Sequence, residues 1–263
     1  MFLVLALAFK THNIRIQTAD NETLGAWFVF ADSFYAAHKA HLSNGPTTNV
    51  SSRASTSRSR EDLIRAALRA HPTVLFLHGT TGTRVVPFWV KLYQAFAARL
   101  RANVLAPDYR GFADSTGTPS EAGLTLDTRA AWDWLRAHGA PPDSILIVGN
   151  SLGTGVAVQF ASALEEEVAQ AEAHARAAVS QRSGHKRSGR VGGRKGASAV
   201  RERPRGVVLL SPFSNLETLL DTYYILGLVP LFAPLRTIPY LASESLLFPV
   251  CVTRAEMKEG TKN

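Results

Sequence analysis

The sequence contains a single cysteine, Cys251, so no disulfide can form within the chain and no metal site built on several cysteines is possible. It also lacks any apolar run of 18 residues. The apolar start, residues 1–9, is far shorter than the roughly 20 residues that a bilayer span needs. This start has no basic n-region and no small-residue cleavage site, which disfavours a signal peptide. We interpret it as a buried or frayed first element, with a membrane-surface anchor or the end of a longer span as alternatives.

The chain lacks excess charge outside one segment, which carries the whole positive excess. The net charge is +8, yet residues 182–205 hold nine Lys or Arg against one acid, and the rest of the chain is balanced. The segment lacks the aromatic side chains that stack on bases, so nucleic acid is disfavoured as a partner. We interpret it as a solvated insertion, and contact with an anionic membrane surface is the alternative.

Apolar periodicity is missing from two segments, residues 43–60 and 165–205, and we expect both to be disordered insertions. The beginning of the second, "EEEVAQAEAHARAA", can extend a preceding helix. At 263 residues the chain is long enough for one sizeable domain and short for two. We therefore expect a single domain over residues 1–263.

Outside these segments, short apolar stretches alternate with amphipathic ones. The stretches with strand character are residues 13–18, 24–30, 73–78, 103–108, 144–149 and 206–211. Helical patterns occupy residues 61–71, 88–100 and 124–139, and another begins after Ser151. Continuously apolar strands that alternate with helices indicate an α/β fold, with a mostly parallel sheet and helices on both faces.

One stretch, "GNSLG", fits the pattern G-x-S-x-G. Its residues are Gly149, Asn150, Ser151, Leu152 and Gly153. A nucleophilic serine must lie in a strained turn between a strand and a helix, and the flanking glycines permit close backbone approach there. The N–H of Leu152 then faces the reacting carbonyl, with the helix N-terminus behind it. The alternative is an ordinary strand-to-helix turn capped by serine, but the position after the fifth strand favours a nucleophile.

A second motif follows the third strand, where "HGT" comprises His78, Gly79 and Thr80. In α/β hydrolases a backbone N–H of this loop supplies the other oxyanion donor. We predict the N–H of Thr80 for this role, with Thr81 as the alternative. In such enzymes the chain order is serine, acid, histidine, so we expect His78, which precedes the serine, to shape the loop and not to act as the catalytic base.

Four stretches of the chain resemble one branch of the α/β hydrolases. They are "HGTTGTR", "DYRGFADSTGTPSEAGLTLD", "GNSLGTGVA" and "LLSPFSN". Together they resemble the α/β-hydrolase domain-containing protein 12 branch over residues 13–239, which leaves 240–263 as a tail outside the similarity. The resemblance implies the α/β-hydrolase fold and hydrolysis of single-chain lipid esters, namely monoacylglycerols and lysophosphatidylserine. It further implies an enzyme of the endoplasmic reticulum membrane that uses no cofactor or metal.

The resemblance also implies a catalytic triad in the chain order serine, acid, histidine, with the acid after a seventh strand and the histidine after an eighth. Only six strands are predicted here. After Ser151 the only aspartate is Asp221 and the only histidines are His174 and His185. None of the three matches a triad position. We therefore expect a truncated α/β-hydrolase fold whose last two strands are missing and whose activity is low or absent.

Three polar residues in the loop after the fourth strand, Asp108, Arg110 and Asp114, match the same branch. They are either substrate contacts or structural hydrogen-bonding groups, and we favour the second interpretation. For the whole chain the leading hypothesis is a serine hydrolase of lipid esters. The alternatives are a non-catalytic binding protein of the same fold and a fragment with no function of its own. Localisation is not determined by the sequence beyond the membrane association that the resemblance implies.

Overall fold

The computed structural model of the protein describes residues 10–42, 60–80, 82–183, 203–212, 224–225 and 229–230. The chain divides into two compact units, residues 1–210 and 211–263. The single domain expected over residues 1–263 stays a prediction. The predicted insertion at 43–60 and the predicted tail at 240–263 lie almost wholly outside the described residues. Most of the basic residues of 182–205 also lie outside the described residues, so both interpretations of that segment, a solvated insertion or contact with an anionic membrane surface, stay predictions.

The first unit is built on a six-stranded sheet. Its strands are β1 (Thr11–Gln17), β2 (Thr23–Val29), β3 (Thr73–Leu77), β4 (Asn103–Pro107), β5 (Ile145–Asn150) and β6 (Gly206–Leu210). The order across the sheet is β1-β2-β4-β3-β5-β6; β2 is antiparallel to β1 and β4, and all later pairings are parallel. All six predicted strands are confirmed. In the second unit, β7 (Tyr224–Ile225) and β8 (Val229–Pro230) form an antiparallel pair.

Five α-helices are described, together with a 3-10 turn at Pro142–Ser144. The helices are α1 (Asp32–Leu42), α2 (Arg60–Ala70), α3 (Pro87–Arg99), α4 (Glu121–Ala137) and α5 (Leu152–Ser183). The pattern of the sequence predicted four of them and missed α1. Within the described ranges, none of the helices has both the length and the apolar character needed to cross a bilayer.

The core lies on both faces of the sheet. On one face, α3 packs against alternate residues of the strands, in a cluster that includes Trp89, Tyr93, Val74, Phe76 and Val104. Side chains alternate between the two faces of a strand, and all five residues of β3 are buried. Both faces are therefore covered, as the continuously apolar strands predict.

Helix α5 includes residues 165–178, which the sequence allowed as an extension of the helix, and it continues to Ser183 within the segment predicted as a disordered insertion. Its polar second half forms ion pairs with side chains outside the helix. Arg129 of α4 contacts Glu167 at 2.5 Å, and Arg203 contacts Glu165 at 2.9 Å and Glu172 at 3.2 Å. These partners lie more than 30 residues away, so the pattern of the segment alone does not reveal them.

Candidate active site

Ser151 lies at the turn where β5 ends and α5 begins. Its φ of 49° is in the left-handed region, which a residue with a side chain rarely adopts. The surrounding backbone holds this conformation: the Ser151 N–H donates to the carbonyl oxygen of Leu210 at 3.0 Å, and the Thr154 N–H donates to the carbonyl oxygen of Ser151 at 2.8 Å. Strain of this kind is concentrated at functional positions, where the fold over-determines it.

The two glycines of the motif allow β5, α5 and β3 to approach each other backbone to backbone. A Cβ atom on Gly149 would lie 2.6 Å from the carbonyl carbon of Gly153 and 2.8 Å from Cα of Thr154. A Cβ atom on Gly153 would lie 2.7 Å from the carbonyl carbon of Leu77 and 2.9 Å from the carbonyl oxygen of His78. No side chain fits at either position without a shift of the backbone.

The loop after β3 lies directly against this turn. A Cβ atom on the buried Gly79 would lie 3.2 Å from Cβ of Ser151 and 3.3 Å from Oδ1 of Asn150. Thr80 follows Gly79 and is exposed, and Leu152 is the first residue of α5, so its N–H has no acceptor within the helix. The structure thus places Gly79 against Ser151 and Asn150, with Thr80 and Leu152 next to them in the chain. Thr81 lies outside the described residues.

His78 is buried beneath this loop, with only 1% of its surface exposed. Its Nδ1 contacts the carbonyl oxygen of Gly79 at 2.8 Å, and its Nε2 accepts a hydrogen bond from the N–H of Tyr109 at 3.3 Å. Burial lowers the pKa of His78 to about 4, so the ring is neutral at pH 7 and Nδ1 carries its proton. Both ring nitrogens are engaged by backbone groups and neither is free to accept a proton from Ser151.

The polar residues after β4 are held by two buried ion pairs of similar geometry. Asp108 accepts the backbone N–H of Arg84 at 2.6 Å on Oδ1, and its Oδ2 pairs with the Arg84 guanidinium. Asp127 accepts the backbone N–H of Arg110 at 2.8 Å on Oδ2 and its Nε–H at 2.9 Å on Oδ1. Burial raises the pKa of Asp108 to about 6 and also raises the pKa of Asp127.

Outer carboxylates complete both pairs. Asp114 contacts the guanidinium of Arg84 at 2.7 Å, and Asp20 contacts that of Arg110 at 2.7 Å. Asp108, Arg110 and Asp114 are therefore occupied by ion pairs within the fold, the arrangement that a structural role requires. Arg84 ends the stretch "HGTTGTR", but its pairing with Asp108 was not predicted, because no local pattern relates the two residues across 24 positions.

No base or acid for Ser151 is found in the part of the chain that the structure describes. No histidine there hydrogen-bonds to Ser151, and His174 is exposed on the second half of α5. His185 and Asp221 lie outside the described residues. Within the same ranges, no group of three His, Cys, Asp or Glu side chains is placed to hold a metal ion.

A cavity of about 270 Å³ lies away from this turn, beside β1, α2 and α4. It is lined by residues that include His12, Arg15, Arg60, Glu61, Trp134 and His138. None of its lining residues belongs to the turn at Ser151 or to the loop after β3, so the cavity is not part of the candidate active site.

Comparisons with known proteins agree with this geometry. Residues 72–174, which include both motifs, match the family model described as alpha/beta hydrolase fold. The lysophosphatidylserine lipase ABHD12 of Gallus gallus is 41% identical over 104 residues, which are 40% of this chain and 27% of the relative. That of Rattus norvegicus is 44% identical over 96 residues, 36% of this chain and 24% of the relative. The protein ABHD12B of Homo sapiens is 42% identical over 104 residues, 39% of this chain and 28% of the relative.

The chain spans about a quarter of the length of the curated relatives it matches. Among solved structures, an esterase of Pyrococcus furiosus superimposes with a TM-score of 0.41 at 23% identity, over 60% of this chain and 46% of the esterase. The motif residues, the strand order and the family match agree with one another. The chain has the α/β-hydrolase fold, and over part of its length it resembles the ABHD12 branch.

Proposed function

We propose that this chain carries the nucleophile and the oxyanion donors of a serine hydrolase that acts on lipid esters. Ser151 Oγ attacks the ester carbonyl carbon, and the N–H groups of Leu152 and Thr80 stabilise the oxyanion that forms. The C–O bond to the alcohol then breaks, the alcohol leaves with a proton, and water hydrolyses the acyl-enzyme. The observation that carries the proposal is the left-handed φ of Ser151 at a strand-to-helix turn, with Gly79 against it.

The proposed substrates are single-chain lipid esters, either lysophosphatidylserine or monoacylglycerol. Support comes from the relatives, which are named as lysophosphatidylserine lipases. It comes also from residues 108–127, whose likeness to that branch goes beyond the serine motif. The two substrates share an acyl ester and differ in the head group, so a head-group comparison decides between them.

We expect the chain, tested alone, to react slowly. In the described ranges no histidine hydrogen-bonds to Ser151, and a hydroxyl without an adjacent base is a weak nucleophile. Triad enzymes that lose a member retain roughly 10³–10⁴-fold catalysis over water, from the oxyanion donors and from binding. A residual rate of that order is the expectation here.

The first test is covalent labelling of the purified protein by a fluorophosphonate probe, with circular dichroism to show that each variant is folded. We expect slow labelling that Ser151→Ala abolishes. Ser162→Ala is the matched control, because Ser162 is an exposed serine of the same helix and its loss should leave labelling unchanged. A folded protein that is not labelled, or that is labelled equally after Ser151→Ala, would refute the proposal.

The second test compares substrates that carry the same acyl chain. Lysophosphatidylserine, lysophosphatidylcholine and monoacylglycerol are incubated with wild type and Ser151→Ala, and free fatty acid is measured. Release that depends on Ser151 and favours lysophosphatidylserine or monoacylglycerol over lysophosphatidylcholine supports the substrate class. Equal release of fatty acid from all three substrates contradicts the proposed substrate class and indicates a general esterase.

A further inference from the structure

We propose that Asp108 is a positioning residue for the oxyanion loop, which we define by the described residues 78–80 and 82–84. Through Arg84, it holds this loop where the N–H of Thr80 can face the carbonyl that Ser151 attacks. The inference rests on the proposed function, because the position of the loop affects chemistry only if Ser151 reacts.

The oxyanion loop is fixed at both ends by two consecutive residues of the turn after β4. At its beginning, Nε2 of His78 accepts the N–H of Tyr109 at 3.3 Å. At its end, the N–H of Arg84 donates to Oδ1 of Asp108 at 2.6 Å, and the guanidinium pairs with Oδ2. Only five residues lie between these two attachments, so the path of Thr80 is constrained from both sides.

Asp108 is itself anchored to the sheet, which makes it a fixed reference for the loop. Its N–H donates to the carbonyl oxygen of Gly25 in β2 at 2.9 Å, and its carbonyl oxygen accepts the hydroxyl of Ser115 at 2.8 Å. The carboxylate is fully buried. The loop therefore takes its position from the central sheet and not from solvent-exposed contacts.

Stability does not account for this buried carboxylate. Its pKa is raised to about 6 by burial even with Arg84 beside it, so the ionised form is disfavoured in the fold relative to the unfolded chain at pH 7. Buried ion pairs are in general weak contributors to stability, because desolvation offsets their attraction. The pair instead fixes the position of the end of the loop, because Asp108 accepts hydrogen bonds from both the backbone N–H and the guanidinium of Arg84.

The chain offers a matched control in the second buried pair. Asp127 binds the backbone N–H and the guanidinium of Arg110, as Asp108 binds those of Arg84. Asp127 belongs to α4 and pairs with Arg110, whose other ionic partner is Asp20, and neither Asp127 nor Arg110 hydrogen-bonds to a described residue of the oxyanion loop. Asp127→Asn thus removes the same kind of charge at the same depth and leaves the loop attached.

The experiment compares Asp108→Asn with Asp127→Asn in the whole chain by two measurements. The first is hydrogen exchange of the backbone amides of the oxyanion loop. The second is the rate at which a fluorophosphonate labels Ser151, measured over a range of probe concentrations. For Asp108→Asn we expect faster exchange at Arg84 and its neighbours in the loop. We also expect a limiting labelling rate roughly 10- to 100-fold lower, with little change in the half-saturating concentration, because a misplaced donor weakens only the transition state.

For Asp127→Asn we expect neither effect. Equal exchange and equal limiting rates in the two variants would overturn the inference, whatever happens to their melting temperatures. If wild type is not labelled at all, the proposed function fails, and the exchange of the loop amides still decides whether Asp108 positions them. Should Asp108→Asn not fold, Arg84→Lys retains the backbone hydrogen bond and the charge but loses the planar fork. It should then show the same changes to a smaller extent, and their absence counts against the proposal.

Discussion

The close approach of α5 to β3 at Gly153 gives a prediction whose size follows from the geometry. In Gly153→Ala, the new Cβ would lie 2.7 Å from the carbonyl carbon of Leu77 and 2.9 Å from the carbonyl oxygen of His78. Both are main-chain atoms of the central strand and its loop, so no side chain can rotate away to relieve the overlap. Overpacking a core costs about 1–3 kcal/mol, and a backbone clash belongs at the upper end of that range.

Alanine also offers a gain, because it is favoured over glycine within a helix by about 1 kcal/mol. The net loss of unfolding free energy is then about 2 kcal/mol. For a chain of this size each kcal/mol lowers the Tm by about 2–4 °C, so we expect the Tm to fall by about 4–8 °C. Thermal melts and urea titrations of wild type and variant measure both quantities.

Gly206→Ala is the control. A Cβ there would meet only Cδ1 of Leu146 at 3.6 Å, which is ordinary van der Waals contact. The free energy of unfolding should therefore stay within about 1 kcal/mol of wild type, since only the small propensity difference between the residues remains. A Gly153→Ala protein as stable as Gly206→Ala would show that α5 does not press against β3, and the reasoning about the serine turn would fail with it.

Two further predictions concern buried polar groups. The pKa of His78 is about 4 in the fold and 6.5 ordinarily, so between these pH values the unfolded chain binds more protons than the folded one. The contribution of His78 to stability is therefore present above pH 6.5 and is lost as the pH falls towards 4, by about 3 kcal/mol. Urea midpoints measured across this range should decline less steeply in His78→Gln than in wild type. Buried Asn103 donates to the carbonyl oxygen of Ala67 at 3.0 Å and accepts the N–H of Ala31 at 3.2 Å, and both groups would lose their partner in Asn103→Ala. We expect urea titrations to show an unfolding free energy about 2–3 kcal/mol lower in this variant. A loss below about 0.5 kcal/mol would contradict this reasoning.

The elements that the sequence predicted are those whose burial is visible in a local pattern. The strands of the sheet are continuously apolar because both faces are covered, and that property can be counted along the chain. Helix α1 was missed because few of its described side chains are buried; among them Phe34 and Leu42 are the buried ones, too sparse a set to give a helical period. The sequence allowed residues 165–178 to extend α5, but it did not reveal the partners of this part of the helix, because Arg129 and Arg203 are distant in sequence.

In the candidate site too, the features set by local sequence were predictable and the contacts between distant residues were not. The turn at Ser151 was predictable because its requirements, two glycines and a strand followed by a helix, are all local. The attachment of Arg84 to Asp108 was not, because it joins two loops that only the parallel sheet brings together. Nor was the hydrogen bond from Ser151 to Leu210, which depends on the register of β6 against β5.

That hydrogen bond from Ser151 to β6 has a consequence for the order of folding. It joins residues 151 and 210, so the turn acquires this part of its geometry only when a long intervening segment has closed on itself. The contact through Thr154 is local, whereas the contact through Leu210 requires β6 to lie beside β5. We therefore expect the conformation of Ser151 to be complete only after β6 has paired with β5.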